Sequence, residues 1–112
     1  MAGKFEVYKD KAGEFRFRLK AGNGETVLTS EGYTSKSSAM NGIESVMKNA
    51  GDPSRFESKE TAGGKHRFNL KAGNNQVIGT SENYNSASAR DSGIGAVGRA
   101  AGGAKVVDLS GG

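Results

Sequence analysis

FRFRLKAGN at residues 15–23 returns as HRFNLKAGN at 66–74, in a chain of only 112 residues. In the first stretch apolar and basic residues alternate, which puts Phe15, Phe17 and Leu19 on one side and Arg16, Arg18 and Lys20 on the other. The second keeps the alternation, with Phe68 and Leu70 inside and Arg67, Asn69 and Lys71 outside. Period two with one apolar face predicts a half-buried strand. GNGE at 22–25 and GNNQ at 73–76 follow, and Asn-Gly and Asn-Asn tolerate positive φ, so each strand runs through a hairpin into another. DKAG at 10–13 and TAGG at 61–64 predict a turn from a shorter preceding strand. LKAGN is thus a strand end plus the residues its turn requires.

Extended outward, the register pairs Phe5 with Phe56, Glu6 with Glu57, TSEGYTS at 29–35 with TSENYNS at 80–86, and Gly42-Ile43 with Gly93-Ile94. Roughly twenty of the positions between Phe5 and Ala50 are identical in the two copies, which marks an internal duplication. After YTS the period changes: Ala39, Ile43, Val46, Met47 and Ala50 fall on one helical stripe, with Ser35 or Thr34 as cap and Gly51 and Pro53 as stop. The second helix keeps Ile94, Val97 and Ala101 on its stripe but is richer in Gly, which makes it the weaker one. A further step of 51 from Phe56 lands on Val107, so KVVDLS begins a third copy and closes the sheet as a fourth strand. The expected fold is α+β: tandem β(3)-α-β repeats forming one antiparallel sheet, two helices on one face and exchanged C-terminal strands. One pseudo-symmetric domain spans 1–112, with repeats at about 4–53 and 54–112 and a final strand at 104–110.

FEVYKDKAGEFRFRLKAGNGETVLTSEGYTSKSSAMNGIESV, followed by a copy containing FNLKAGNNQVIGTSENY, resembles the YegP-type family of small bacterial domains of unknown function. The resemblance spans nearly the whole chain. It implies a β(3)-α-β unit used in tandem or as a homodimer, and it brings no activity or catalytic residues.

Composition bounds the rest. Apolar residues are 34% and charged residues 25%, with a net charge of +4. With no Cys there is neither a disulfide framework nor a thiolate metal site. No run approaches the roughly 18 apolar residues of a membrane span, and MAGKFEVYKD has no apolar signal region, so a cytoplasmic location is expected.

GIGAVG at 93–98 spells a dinucleotide fingerprint, but inside a predicted helix rather than at a strand-to-helix turn; Gly42 and Gly93 are better read as close-packing positions. Ser45-Val46-Met47-Lys48 matches S-x-x-K without its companion motifs. His66, the only histidine, replaces inward-facing Phe15 and reads as a core or core-edge residue. Glu6, Glu57 and Asp108 recur by duplication, the hydroxyls at Thr34 to Ser38 and Asn85 to Ser88 read as caps, and Tyr33 and Tyr84 as packing residues. No catalytic set, metal or cofactor is therefore expected. The strongest functional lead is basic: Arg16, Arg18, Lys20, Lys65, Arg67 and Lys71 share an outer sheet face that could follow a phosphate backbone, with Glu6, Glu57 and Glu60 as neutralising neighbours. The sequence thus predicts a monomeric, non-enzymatic binding module for an anionic partner such as nucleic acid. The alternative is a structural or protein-partner module acting by strand addition at Met1–Lys9 or Lys105–Ser110, with a small-substrate enzyme a distant third.

Overall fold

The computed structural model describes residues 3–110. Strands β1 (Lys4–Lys9), β2 (Phe15–Lys20) and β3 (Thr26–Thr29) lead into helix α1 (Lys36–Asn49). After a 3-10 turn at Pro53–Arg55 the pattern repeats as β4 (Phe56–Glu60), β5 (His66–Lys71), β6 (Val77–Thr80) and α2 (Ala87–Ala101), and β7 (Lys105–Asp108) closes it. The seven strands form one sheet in the order β4-β5-β6-β3-β2-β1-β7.

The expected α+β architecture is present, with one departure. β7 runs parallel to β1, with Val106 beside Phe5 and Val107 beside Glu6, so the sheet is mixed rather than wholly antiparallel. The third-copy register fails for the same reason: Val107 lies in the row of Glu6, on the face opposite Phe5. The reason is the approach direction. β4 enters antiparallel to β5, its own hairpin partner, whereas β7 arrives from α2 at the far edge and meets the other repeat's first strand. β1 is therefore an interior strand and offers no edge; of the stretch Met1–Lys9, Met1 and Ala2 lie outside the described residues. The free edges are β4 and β7.

Both helices lie on one face of the sheet. Phe5, Val7, Phe17, Leu19, Leu28, Phe68 and Leu70 from the strands meet Ala39, Ile43, Val46, Val97, Ala100 and Ala101 from the helices, all almost fully buried. α1 reaches over β2 and β6, and α2 over β5, β2 and β3, so each helix spans both copies. Met47, expected on the buried stripe of α1, is 40% exposed, and Gly42 takes the inward position instead. A Cβ on Gly42 would lie 2.6 Å from Tyr33 Oη and 2.9 Å from a Phe17 ring carbon. Gly93 meets Tyr84 and Phe68 in the same way. Each tyrosine in turn stacks on its phenylalanine at 6.2 Å between centroids, so the fingerprint-like glycines are packing positions and the tyrosines are core lids.

Local chemistry explains the repeated motifs. Ser35 Oγ accepts from the Ser38 N–H and Ser86 Oγ from the Ala89 N–H, which caps the two helices. In the LKAGN turns Asn23 Oδ1 accepts from the Glu25 N–H and Asn74 Oδ1 from the Gln76 N–H, while Gly24 and Asn75 carry the positive φ (87° and 69°). The Ser of each TSE motif has a role that residue patterns did not reveal. Buried Ser30 Oγ accepts from the Phe17 N–H and donates to the Glu31 carbonyl, and Ser81 does the same with Phe68 and Glu82. Each hydroxyl thereby satisfies two backbone groups where the ladder gives out.

Candidate functional site

The helix-free face of the sheet collects most of the chain's strand charges. One transverse row crosses all seven strands: Glu57, Asn69, Thr80, Thr29, Arg18, Glu6 and Val107 stand side by side in register. Side-chain hydrogen bonds link its two ends within each copy. Asn69 Nδ2 donates to Glu57 Oε1 at 3.3 Å, Thr80 Oγ1 donates to Asn69 Oδ1 at 3.0 Å, and Arg18 Nε donates to Glu6 Oε1 at 2.7 Å.

Glu6 is a hub. Only 5% exposed, it holds Arg18, Lys4 at 3.4 Å and Lys20 at 3.5 Å. The Arg18 hydrogen bond keeps its carboxyl below the usual range although burial pushes the other way. Glu57 does the same for Lys71 at 3.0 Å and Lys59 at 3.6 Å, and the Lys71 bond lowers its pKa. Asp10 binds Arg16 Nε at 2.7 Å, which lowers the carboxyl and raises the guanidinium, and Arg16 also donates to the Ser30 carbonyl. Arg18 lies 4.7 Å over the Tyr8 ring, the one aromatic of this face.

The six cations singled out in the sequence are thus not one free stripe. Arg16, Arg18, Lys20 and Lys71 face the open side and are tied to carboxylates. Arg67 stands there too, with no ion pair among the described residues. Lys65 precedes β5 on the Arg67 side and hydrogen-bonds Asn85, its cross-strand neighbour one step beyond the His66–Tyr84 bridge. β2 and β5 are separated by β3 and β6, roughly 14 Å between strand axes, so the two groups form separate clusters. Of the expected neutralising acids, Glu6 and Glu57 take that role, whereas Glu60 points to the helix side, 3.8 Å from His66 Nδ1.

What residue periodicity missed is the contribution of neighbouring strands. Lys4 and Lys105 stand in register with Lys20, which makes a three-lysine row across β7, β1 and β2. Lys59 adds another cation on β4. The open face therefore carries Lys4, Arg16, Arg18, Lys20, Lys59, Lys65, Arg67, Lys71 and Lys105 against Glu6, Asp10, Glu14 and Glu57, nine against four, a surplus of five positive charges in a chain of net +4. The rest of the side chains sum to about neutral. The edge-strand pairing could have been anticipated only by knowing where β7 lands.

The remaining motifs are dispersed. Glu6 and Glu57 lie on β1 and β4, five strand steps apart or roughly 24 Å, and Asp108 is on the opposite face, bound to Lys36. They form no acid-base pair. His66 is half-buried at the core edge, its Nδ1 without a hydrogen-bond partner among the described residues. Among those residues no group of three or more His, Asp or Glu side chains converges, and no helix is long and apolar enough to cross a membrane.

With the duplicated fold in view, comparison with known proteins is direct. The family described as "Domain of unknown function (DUF1508)" matches twice in tandem, at residues 10–57 and 62–108. The chain belongs to this family. It is 58% identical over 109 residues to a UPF0339 protein from the ptx operon 5' region of Stutzerimonas stutzeri, covering 97% of this chain and 98% of that one. It is 55% identical over 97 residues to UPF0339 protein YegP of Escherichia coli K12, covering 87% and 88%. The solution NMR structure of E. coli yegP, a protein of unknown function, superposes with a TM-score of 0.94 at 50% identity and covers 100% of this chain and 97% of that one. A UPF0339 protein from Shewanella oneidensis gives 0.91 at 48% identity, covering 98% and 93%. The resemblance to YegP-type domains is thereby established, and it is a family of unknown function.

Proposed function

We propose that this DUF1508 protein is a non-enzymatic module that binds nucleic acid through the phosphate backbone with its open sheet face. One observation carries the reading: the positive surplus of the chain sits on that face, and it survives internal pairing because one carboxylate, Glu6, serves three cations and another, Glu57, serves two. These carboxylates hold the cations in place more than they cancel them. Rigidly held Arg and Lys side chains lose less freedom when a phosphate arrives. The face has a single aromatic, Tyr8, already covered by Arg18, so it has no platform for stacking bases and the binding is sequence-independent.

Fluorescence anisotropy of labelled duplex DNA, single-stranded DNA and RNA against salt tests this. Binding should weaken with salt along a log-log slope that approaches about −4.5 for duplex DNA, the limit if five charges each release a counterion at about −0.9 per phosphate. Arg67→Gln should lower that slope by about one unit without changing sequence preference. Absence of binding to all three at low salt would remove the reading.

A further inference from the structure

The two free edges of the sheet are unlike. β4 presents Glu57, Lys59 and Glu60, and has exposed Ser58 at the position where β1 buries Val7. Charges along an edge strand deter pairing with another chain. β7 has one charge on each side, Lys105 on the open side and Asp108 on the helix side, where Lys36 already binds it, and between and beyond them it is apolar. Val106, 40% exposed, lies on the helix side beside Phe5, and Leu109, 51% exposed, extends the open side, where its N–H donates to the Val7 carbonyl at 2.7 Å. Lys36 Nζ binds Asp108 Oδ2 at 2.6 Å and brings α1 to this edge, and Met40, one turn further on the same flank, is 37% exposed. Three of the four large exposed apolar side chains among the described residues therefore belong to β7, the residue that follows it or the helix turn tied to it.

We propose that the free edge of β7 takes up an extended segment of a partner protein in which acidic and apolar residues alternate. Strand addition supplies the unpaired backbone groups of the edge with partners, and alternation supplies each face with its complement. On the helix side the incoming apolar residues cover Val106 and Met40. On the open side they would face the Lys105, Lys4 and Lys20 row, whose one carboxylate is Glu6, so acidic residues belong there. Lys105 thus disfavours a basic strand and favours an acidic one. A second copy of the chain is a poorer occupant. Lys105 and Asp108 lie on opposite faces of β7, so no antiparallel register that keeps the faces aligned can set one against the other, and Asp108 is already held by Lys36.

The test is an amide NMR titration of the full chain with a short synthetic peptide of alternating Val and Glu. Shifts should concentrate at Lys105–Leu109 and spare Phe56–Glu60. Methylating alternate peptide nitrogens on the pairing edge should abolish binding, and Lys105→Glu should weaken it at least about tenfold while leaving the amide dispersion intact. Equal binding of a Val-Lys peptide, retention after methylation, or shifts centred on β4 would overturn the proposal. So would self-association through β7 that excludes the peptide, or no shifts at all. A peptide acting only as a polyanion would perturb Arg67 and Lys71 and ignore methylation, which separates failure here from failure of the nucleic-acid reading.

Discussion

Leu28 lies against Gly79, its own counterpart in the second copy: a Cβ on Gly79 would fall 2.6 Å from both Cγ and Cδ2 of Leu28. The contact sits at the seam of the two halves, where Thr29 opposite Thr80 is the one ladder pair that joins β3 to β6 among the described residues. Thr80 is likewise the counterpart of Thr29, so the pseudo-twofold axis passes here. Residues at an axis meet their own copies, and the space that admits one leucine has no room for two. The duplicated chain resolves this by keeping Leu on one side and Gly on the other, which two identical half-chains could not do.

Exchanging the two residues tests that account. Leu28→Gly should cost roughly 3 to 5 kcal/mol by opening a cavity in the core. Gly79→Leu alone should cost roughly 1 to 3 kcal/mol by overpacking. The double exchange restores one leucine to the seam from the other strand, so its cost should fall well below the sum. Urea denaturation of the four proteins gives the coupling energy directly, and simple additivity would show that the two side chains do not share one space.

Gly42 makes a comparable demand away from the axis. Its missing side chain lets Tyr33 lie flat on Phe17 beneath α1. Gly42→Ala should therefore destabilise by roughly 1 to 3 kcal/mol, opposite in sign to the gain expected from helix propensity. Glycine 95 on α2 provides the contrast: its nearest obstacle is the flexible end of Arg99 at 3.1 Å, so Gly95→Ala should be neutral or stabilising in a thermal melt.

How much of this was legible depended on range. Strand alternation in FRFRLK, the Asn-Gly turn and the Ser35 cap are local, and each was readable from residues a few positions apart. The direction of β7, the removal of β1 from the edge and the exposure of Met47 depend on where α1 and α2 cross the sheet, which no local pattern encodes. The candidate face divides the same way. Arg16, Arg18 and Lys20 could be placed on the outer side by period alone, whereas their convergence with Lys4 on Glu6 required the β1–β2 register.

Glu6 gives the cations of the first copy a structural role. Arg18→Gln removes the shortest bond to a carboxylate that is 5% exposed and should cost roughly 1 to 3 kcal/mol, while Arg67→Gln should stay within about 0.5 kcal/mol. The Glu6 carboxyl should titrate at higher pH in Arg18→Gln, because its principal lowering cause is gone. Denaturation at neutral pH together with carboxyl NMR titration checks both, and an Arg18 variant as stable as Arg67→Gln would remove Glu6 as the organiser of the face.

Asp108 predicts how β7 responds to acid. The Lys36 hydrogen bond, assisted by the Ser110 hydroxyl and N–H, lowers its carboxyl from the ordinary 3.8 to about 2. A folded-state value below the unfolded one stabilises the fold above the unfolded pKa, and that contribution disappears as pH falls from about 4 towards about 2. Lys36→Met removes the main cause, so the Asp108 pKa should return towards 3.8 and this part of the acid sensitivity should flatten, with a lower Tm already at neutral pH. Asp91→Asn, which breaks an exposed pair with Arg90, should leave the profile unchanged. The strand itself reports the event: the Leu109 N–H, bonded to the Val7 carbonyl, should lose hydrogen-exchange protection as Asp108 is protonated, before the amides of β2 and β5 do. If Leu109 and the central strands lose protection together at every pH, β7 is not released separately and the Lys36–Asp108 pair does not act as its clasp.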